Sequence, residues 1–262
     1  FEKKEISVNQ QEALKKLSKQ VMTQLELRRS LVEVKNSLII QDKLTNELEL
    51  EKNNIKQIMA KVLPTDIANE LKENKRVEPK YIEDCSVLFT DFVGFTRLTE
   101  KLSPKNLIDL LHQIFCKFDE ICKQNEIEKI KTIGDSYMCV SGILDKKKDH
   151  AVRLCKAAVD MLAFLRKTNI QREKLRMPVW EMRIGIHTGP VICGVVGEDK
   201  FTFDIWGDTV NMASLMEQNS DPGKINISET THFKIQKHLT ASERGKILTT
   251  KKGPQKMFFL NI

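Results

Sequence analysis

Apolar positions divide the chain into two regimes. From about residue 10 to residue 62 there is no Pro and no Gly, and the good helix formers Leu, Glu, Lys and Gln predominate. Starting at Leu27, alternating steps of four and three land on Leu31, Val34, Leu38, Gln41, Thr45, Leu48, Lys52, Ile55, Met59 and Val62. That is a heptad seam with a polar middle. Leu14, Leu17 and Val21 keep the spacing in another register, which places a stammer near Gln24. A helix of this length reaches roughly 80 Å, more than a domain of this size can cover. The pattern therefore predicts a parallel dimeric coiled coil rather than one amphipathic helix lying on its own domain. Pro64 ends that helix or starts a short new one, and the polar stretch Lys72–Lys80, with Pro79, reads as a linker. The expected organisation is a coiled-coil helix over 1–62, a linker over 63–80 and a folded domain over 81–262.

From Tyr81 the elements shorten. Ser86–Phe89 reads as a buried strand, and Ser103–Gln124 as a helix with Leu107, Leu110, Leu111, Ile114, Phe115 and Phe118 at helical spacing behind a Ser-Pro start. Glu128–Ile133 alternates, breaks at Gly134-Asp135 and resumes at Ser136–Val140, which predicts a β-hairpin with a tight turn. Further elements follow as a helix over His150–Lys167, strands over Met182–His187 and Val191–Val196, and a helix over Asp208–Gln218. Ile225–Ser228 reads as a strand, with another helix after it and a closing strand at Lys256–Leu260. The order β-α-β-β-α-β, with additions, predicts an α+β domain of the ferredoxin-like type, an antiparallel-rich sheet backed by helices.

Composition narrows the function classes. The 262 residues carry a net charge of +7, much of it scattered Lys such as Lys146-Lys147-Lys148, so a solvated surface is expected and nucleic acid is not. No apolar run approaches the roughly 20 residues of a membrane-spanning helix. The six cysteines form no CxxC pair and have no His at metal spacing, which points to reduced thiols in a cytosolic setting. The chain opens at Phe1 without Met or a signal-peptide pattern, so it is expected to be part of a longer protein, compatible with a membrane-anchored parent.

Two acidic residues are the first candidates for chemistry. Asp91 follows the strand Ser86–Phe89, and Asp135 sits at the hairpin turn. A strand end and a neighbouring turn on one sheet can bring two carboxylates together, and a divalent cation relieves their repulsion. The segment after Asp91 holds Gly94 and turn residues leading into a helix, whose N–H groups suit phosphates. Taken singly, Asp135 is an ordinary turn residue and Asp91 an ordinary helix cap.

Five segments together resemble the class III adenylyl/guanylyl cyclase family: Phe89–Thr96, Ile130–Met138, Arg183–Gly189, Gly194–Gly197 and Asp204–Ser214. The resemblance runs from about Ile82 to Leu260. It implies a homodimer of catalytic domains with sites shared at the interface. It further implies two Mg²⁺ ions per site (Mn²⁺ as a substitute) on Asp91, Asp135 and the Phe92 carbonyl, with Phe92, Gly94, Phe95 and Thr96 around the phosphates. Lys131 and Asp204 match the base-recognition positions. Adenine presents N1 as an acceptor and its amine as a donor, so a Lys and an Asp together fit ATP, whereas guanine reverses both demands. Asn211 matches the residue that orients the ribose. Lys252 is the favoured match to the family's phosphate-binding lysine and Lys251 the alternative, because Lys251-Lys252-Gly253 departs from the family's Lys-Gly-Lys-Gly wording.

One departure bears on activity. Four residues after Asn211, where the family carries an Arg that steadies charge on the α-phosphate, this chain has Leu215. Three accounts stay open in the sequence: another basic residue substitutes, the protein is slow or needs a different partner chain, or the position carries an Arg→Leu change. The expected function is an adenylyl cyclase governed through its coiled coil by an upstream sensor domain. A weak or inactive cyclase-like dimerising module is the alternative, and a guanylyl cyclase, which Lys131 opposes, is the third.

Overall fold

The computed structural model describes residues 7–100, 102–144, 147–197, 200–249 and 253–261. Two compact units divide them, Phe1–Ala68 and Asn69–Ile262. In the first unit α1 (Val8–Met59) is one uninterrupted helix. Its start is fixed by the Gln10 side chain, which accepts from the Ser7 N–H at 3.0 Å. None of its residues is buried, and Leu31, Leu38 and Leu48 are more than half exposed. Pro64 precedes α2 (Thr65–Asn74), so the stretch expected as a linker contains a short helix. Glu70 on that helix accepts from the Glu78 N–H at 3.0 Å and from Lys80 Nζ at 2.5 Å, which ties the polar stretch down.

The second unit is an eight-stranded sheet with helices against it. Its strands are β1 (Lys80–Phe92), β2 (Glu128–Ile133), β3 (Ser136–Ser141), β4 (Met182–Val196), β5 (Thr202–Trp206), β6 (Ile225–Ser228), β7 (Ala241–Thr249) and β8 (Gly253–Leu260). They lie in the order β2-β3-β1-β4-β6-β8-β7, with β5 pairing β4 off this path. Every pairing is antiparallel except β4 with β6. The helices are α3 (Phe95–Thr99), α4 (Pro104–Gln124), α5 (His150–Lys174), α6 (Asp208–Gln218) and α7 (Glu229–Ile235). With α4 and α5 as crossovers, β2-β3-β1-β4 is the expected βαββαβ unit.

Three features differ from the sequence pattern. Met182–His187 and Val191–Val196 belong to one continuous strand, because the ladder to β1 runs through Thr188, Gly189 and Val191. The short elements α3, β5 and β7 are additional. Helix α5 runs on to Lys174, about two turns beyond the predicted end.

The core lies between the sheet and the pair α4 and α5. Leu88, Phe118, Tyr137, Leu154, Met161 and Ile184 are all essentially inaccessible, each side chain contributing about 2 kcal/mol of burial. A polar seam crosses this apolar interior. Ser86 Oγ lies 3.0 Å from His150 Nδ1 and 2.7 Å from Thr188 Oγ1. Thr188 continues to Thr231 at 3.0 Å, Thr231 to Ser228 at 3.1 Å, and Ser228 to His187 Nδ1 at 2.7 Å. These hydroxyls and the Nδ1 atoms of the two imidazoles satisfy one another, the condition under which polar groups are tolerated in a core, while His150 Nε2 has only the Asp84 carboxylate at 3.4 Å.

Candidate active site

Asp91 is the penultimate residue of β1, opposite Arg183 on β4. Asp135 occupies the β2–β3 turn, which Gly134 permits by taking φ +62°. Because β3 pairs with β1 through Phe89↔Met138 and Thr90↔Tyr137, the turn arrives level with the end of β1. Ser136 Oγ donates to Asp91 Oδ1 at 3.1 Å, and Arg183 Nη2 donates to Asp91 Oδ2 at 2.7 Å. The Asp135 carboxyl is pushed up by burial and by the neighbouring Asp91 charge, while its own N–H and the Phe92 N–H oppose that shift. The two carboxylates expected to meet do meet.

Aromatic packing holds the loop after β1. Phe92 is buried edge-on against Trp180 at 5.0 Å, and Phe95 meets the same indole at 5.8 Å. Gly94 takes φ +70° between them, and no atom lies within 4 Å of where a Cβ would stand, so this bend faces open space. Thr96 is exposed, and its carbonyl accepts from Thr99 Oγ1 at 2.7 Å within α3.

A second pair forms on the same unit. Lys131 Nζ on β2 lies 2.5 Å from Asp204 Oδ2 on β5, and Asp204 Oδ1 accepts from the Ile205 N–H at 2.9 Å. Strands β3, β1 and β4 lie between β2 and β5 in the ladder order, so this contact requires a strongly curled sheet. Asp204 is buried and Lys131 half-buried.

Helix α6 carries the remaining candidates. Asn211 is exposed on it. Leu215, one turn on, is half-buried against the cluster of Met212, Met216 and Met257, on which Ile247 also packs, an apolar setting. Lys251 and Lys252 lie outside the described residues. Gly185 on β4 lets α6 come close, since a Cβ there would fall 1.9 Å from the Glu217 backbone nitrogen.

Two residues given no role in the sequence reading complete the cluster. Arg183 Nη2 reaches Glu217 Oε1 at 3.2 Å as well as Asp91. Glu217 is buried on the inner face of α6, and burial first, then the Asp91 and Asp135 charges, push its carboxyl up to about 7 against the pull of Arg183. The one signal for it in the sequence was a charge beside Met216 on an otherwise apolar face. No three His, Cys, Asp or Glu side chains converge as a metal cage among the described residues. The donors at hand are hard oxygens, which suit Mg²⁺ or Mn²⁺ rather than a soft metal. When all three carboxylates are ionised, Arg183 offsets one charge and two negative charges remain, the complement of a divalent cation.

No helix among the described residues is long and apolar enough to cross a membrane. The family model for the adenylate and guanylate cyclase catalytic domain matches residues 77–262. The guanylate cyclase soluble subunit beta-2 of Rattus norvegicus is 34% identical over 249 residues, 93% of this chain and 35% of that protein. An adenylate cyclase of Mycobacterium bovis is 37% identical over 217 residues, 81% of this chain and 47% of that protein. The chain thus spans less than half the length of these relatives. Among solved structures, the catalytic core of a rhodopsin-guanylyl cyclase with converted specificity, in complex with ATPalphaS, superposes with a TM-score of 0.65 at 31% identity. That match covers 70% of this chain and 98% of the other. The adenylyl cyclase CyaB from P. aeruginosa gives 0.67 at 27% identity over 71% of this chain and 96% of the other.

Proposed function

Because the chain belongs to the adenylate and guanylate cyclase family, the class III nucleotidyl cyclases, we propose that it acts on ATP, forming 3′,5′-cyclic AMP and pyrophosphate. The observation that carries the choice of base is the Lys131–Asp204 pair, a donor and an acceptor 2.5 Å apart. An adenine edge entering there exchanges one ion pair for two hydrogen bonds, Lys131 to N1 and the N6 amine to Asp204. Guanine would meet a donor with N1–H and an acceptor with O6, leaving charged groups unsatisfied, the arrangement that discriminates most strongly.

Asp91 and Asp135, with the Phe92 carbonyl, would hold Mg²⁺ ions that acidify the ribose 3′-hydroxyl and neutralise the triphosphate. Asn211 orients the ribose so that the 3′-oxygen lies in line with the α-phosphate. The bond from the α-phosphorus to the pyrophosphate oxygen breaks as the 3′-O–P bond closes the ring, and the hydroxyl proton passes to water. The loop at Gly94, Phe95 and Thr96 and the lysine at 252 position the phosphates. Within a homodimer, one chain supplies the carboxylates of a site and its partner supplies Lys131, Asp204 and Asn211. α1 pairs with its copy as a coiled coil, holding the two domains together and linking them to an upstream sensor.

A second reading rests on Leu215. Its apolar setting among Met212, Met216 and Met257 supplies no cation to the α-phosphate, which favours a slow or inactive dimerising module. One assay tests both: purified protein with Mg²⁺ or Mn²⁺, given ATP and GTP separately, beside Leu215→Arg and Lys131→Glu. Cyclic AMP from the unsubstituted chain supports the first reading, and cyclic AMP only from the Arg variant supports the second. Cyclic GMP as the main product refutes the assignment of the base.

A further inference from the structure

Resting on the cation-site reading of Asp91 and Asp135, we infer that Glu217 is a positioning residue that sets how strongly Arg183 competes with the cation for Asp91. One guanidinium nitrogen, Arg183 Nη2, lies 2.7 Å from Asp91 Oδ2 and 3.2 Å from Glu217 Oε1. The two carboxylates sit on different elements, Asp91 at the end of β1 and Glu217 on the buried face of α6. Ser136 Oγ holds the other Asp91 oxygen at 3.1 Å, so both oxygens of this carboxylate are engaged within the protein.

A cation entering between Asp91 and Asp135 has to share or displace the guanidinium on Asp91. Displacing a half-buried guanidinium is costly if it is left without a counter-charge. Glu217 removes that cost. The guanidinium is hydrogen-bonded to Asp91 at 2.7 Å and stands in ion-pair range of Glu217 Oε1 at 3.2 Å, an oxygen with no hydrogen-bond partner of its own among the described residues. It therefore turns from one carboxylate to the other without crossing open space and keeps a counter-charge throughout. Gly185 makes the arrangement possible, because only a residue without a side chain lets the α6 backbone at Glu217 lie so close to β4. Replacing Glu217 with the neutral isostere leaves Asp91 as the one strong partner of Arg183, and the guanidinium then holds its place against the cation.

The test is Mn²⁺ binding to the full chain without nucleotide, followed by the electron paramagnetic resonance signal of free Mn²⁺. Four proteins are compared: the unsubstituted chain, Glu217→Gln, Arg183→Ala and the double variant, with Asp135→Asn as the control for the site. Glu217→Gln should bind Mn²⁺ about five- to tenfold more weakly, and Arg183→Ala should bind it more tightly than the unsubstituted chain. The decisive quantity is the coupling: in the Arg183→Ala background, Glu217→Gln should no longer matter. If Glu217→Gln weakens binding equally in both backgrounds, or leaves it unchanged, the inference is overturned. Should Glu217→Gln fail to fold, Arg183→Ala carries the test, and binding equal to or weaker than the unsubstituted chain overturns it. Asp135→Asn separates the two levels, because Mn²⁺ binding that survives it refutes the cation site itself, whereas loss there with unaltered Glu217→Gln refutes only the role of Glu217.

Discussion

A carboxyl pushed up to about 7 by burial makes Glu217 a proton store near neutrality. Its ordinary value is about 4.3, so between those limits the folded chain holds a proton that the unfolded chain releases. This contribution is therefore complete below about pH 4.3 and is lost as pH rises through about 7, amounting to at most about 4 kcal/mol. In cation-free buffer the unsubstituted chain should lose melting temperature, relative to Glu217→Gln, between about pH 5 and pH 7.5; parallel profiles for the two proteins would refute this. Gly185→Ala should cost about 3 kcal/mol or more, because its Cβ meets backbone atoms of Met216 and Glu217 at 2.5 Å or closer. Loss of soluble protein, or a fall in denaturant midpoint, checks it. Asp91, Asp135, Lys131, Asp204 and Asn211 were singled out in the sequence because each lies in a short segment with a family pattern; the structure adds the Asp91–Asp135 approach and the Lys131–Asp204 pair, while the roles of all five stay proposals. Arg183 and Glu217 were not assigned roles. Arg183 is 92 residues from Asp91, and the value of a charge on the inner face of α6 depends on which strand it faces.

Among the elements, those with clear apolar spacing between marked ends were read well, and those interrupted by a charge, a Gly-Pro step or an edge position were not. Helix α6 and strand β6 match their predicted bounds because apolar spacing and flanking Gly or Ser mark both ends. Strand β5 was hidden by Asp204, a buried charge within five residues, whose partner Lys131 lies 73 positions away. Strand β7 is at the sheet edge and reads Ala-Ser-Glu-Arg-Gly-Lys-Ile-Leu-Thr, with no clear alternation, because half of its hydrogen-bonding row has no neighbouring strand to bury it. Helix α1 poses the opposite problem, a strong pattern with no buried residue. A helix of 52 residues without a packed face is marginal by itself, and the proposed coiled coil would supply the burial it lacks. Leu31→Asn combined with Leu38→Asn should shift the chain toward monomer in sedimentation and lower cyclase activity in parallel. An unchanged sedimentation coefficient would count against the coiled coil.

At the scale of the catalytic unit, the sheet meets two demands on one ladder. Between Cys85 and Phe92 strand β1 pairs with β4 without interruption, and that stretch contains both Ser86↔Thr188 and Asp91↔Arg183. The first pair belongs to the polar seam that continues through Thr231, Ser228 and His187. Thr188→Val removes a link from that seam and leaves the Ser86 and Thr231 hydroxyls short of a partner. It should cost about 2 kcal/mol, read from the denaturant midpoint, and a neutral effect would show that the seam is slack. A slip of one residue turns every side chain of a strand to the other face. Here it would strand a row of hydroxyls and an imidazole at once, while an apolar core alone would forgive it more readily. The seam therefore works as a proofreading mark on strand alignment, rejecting any pairing that does not also bring an aspartate level with an arginine five residues further along.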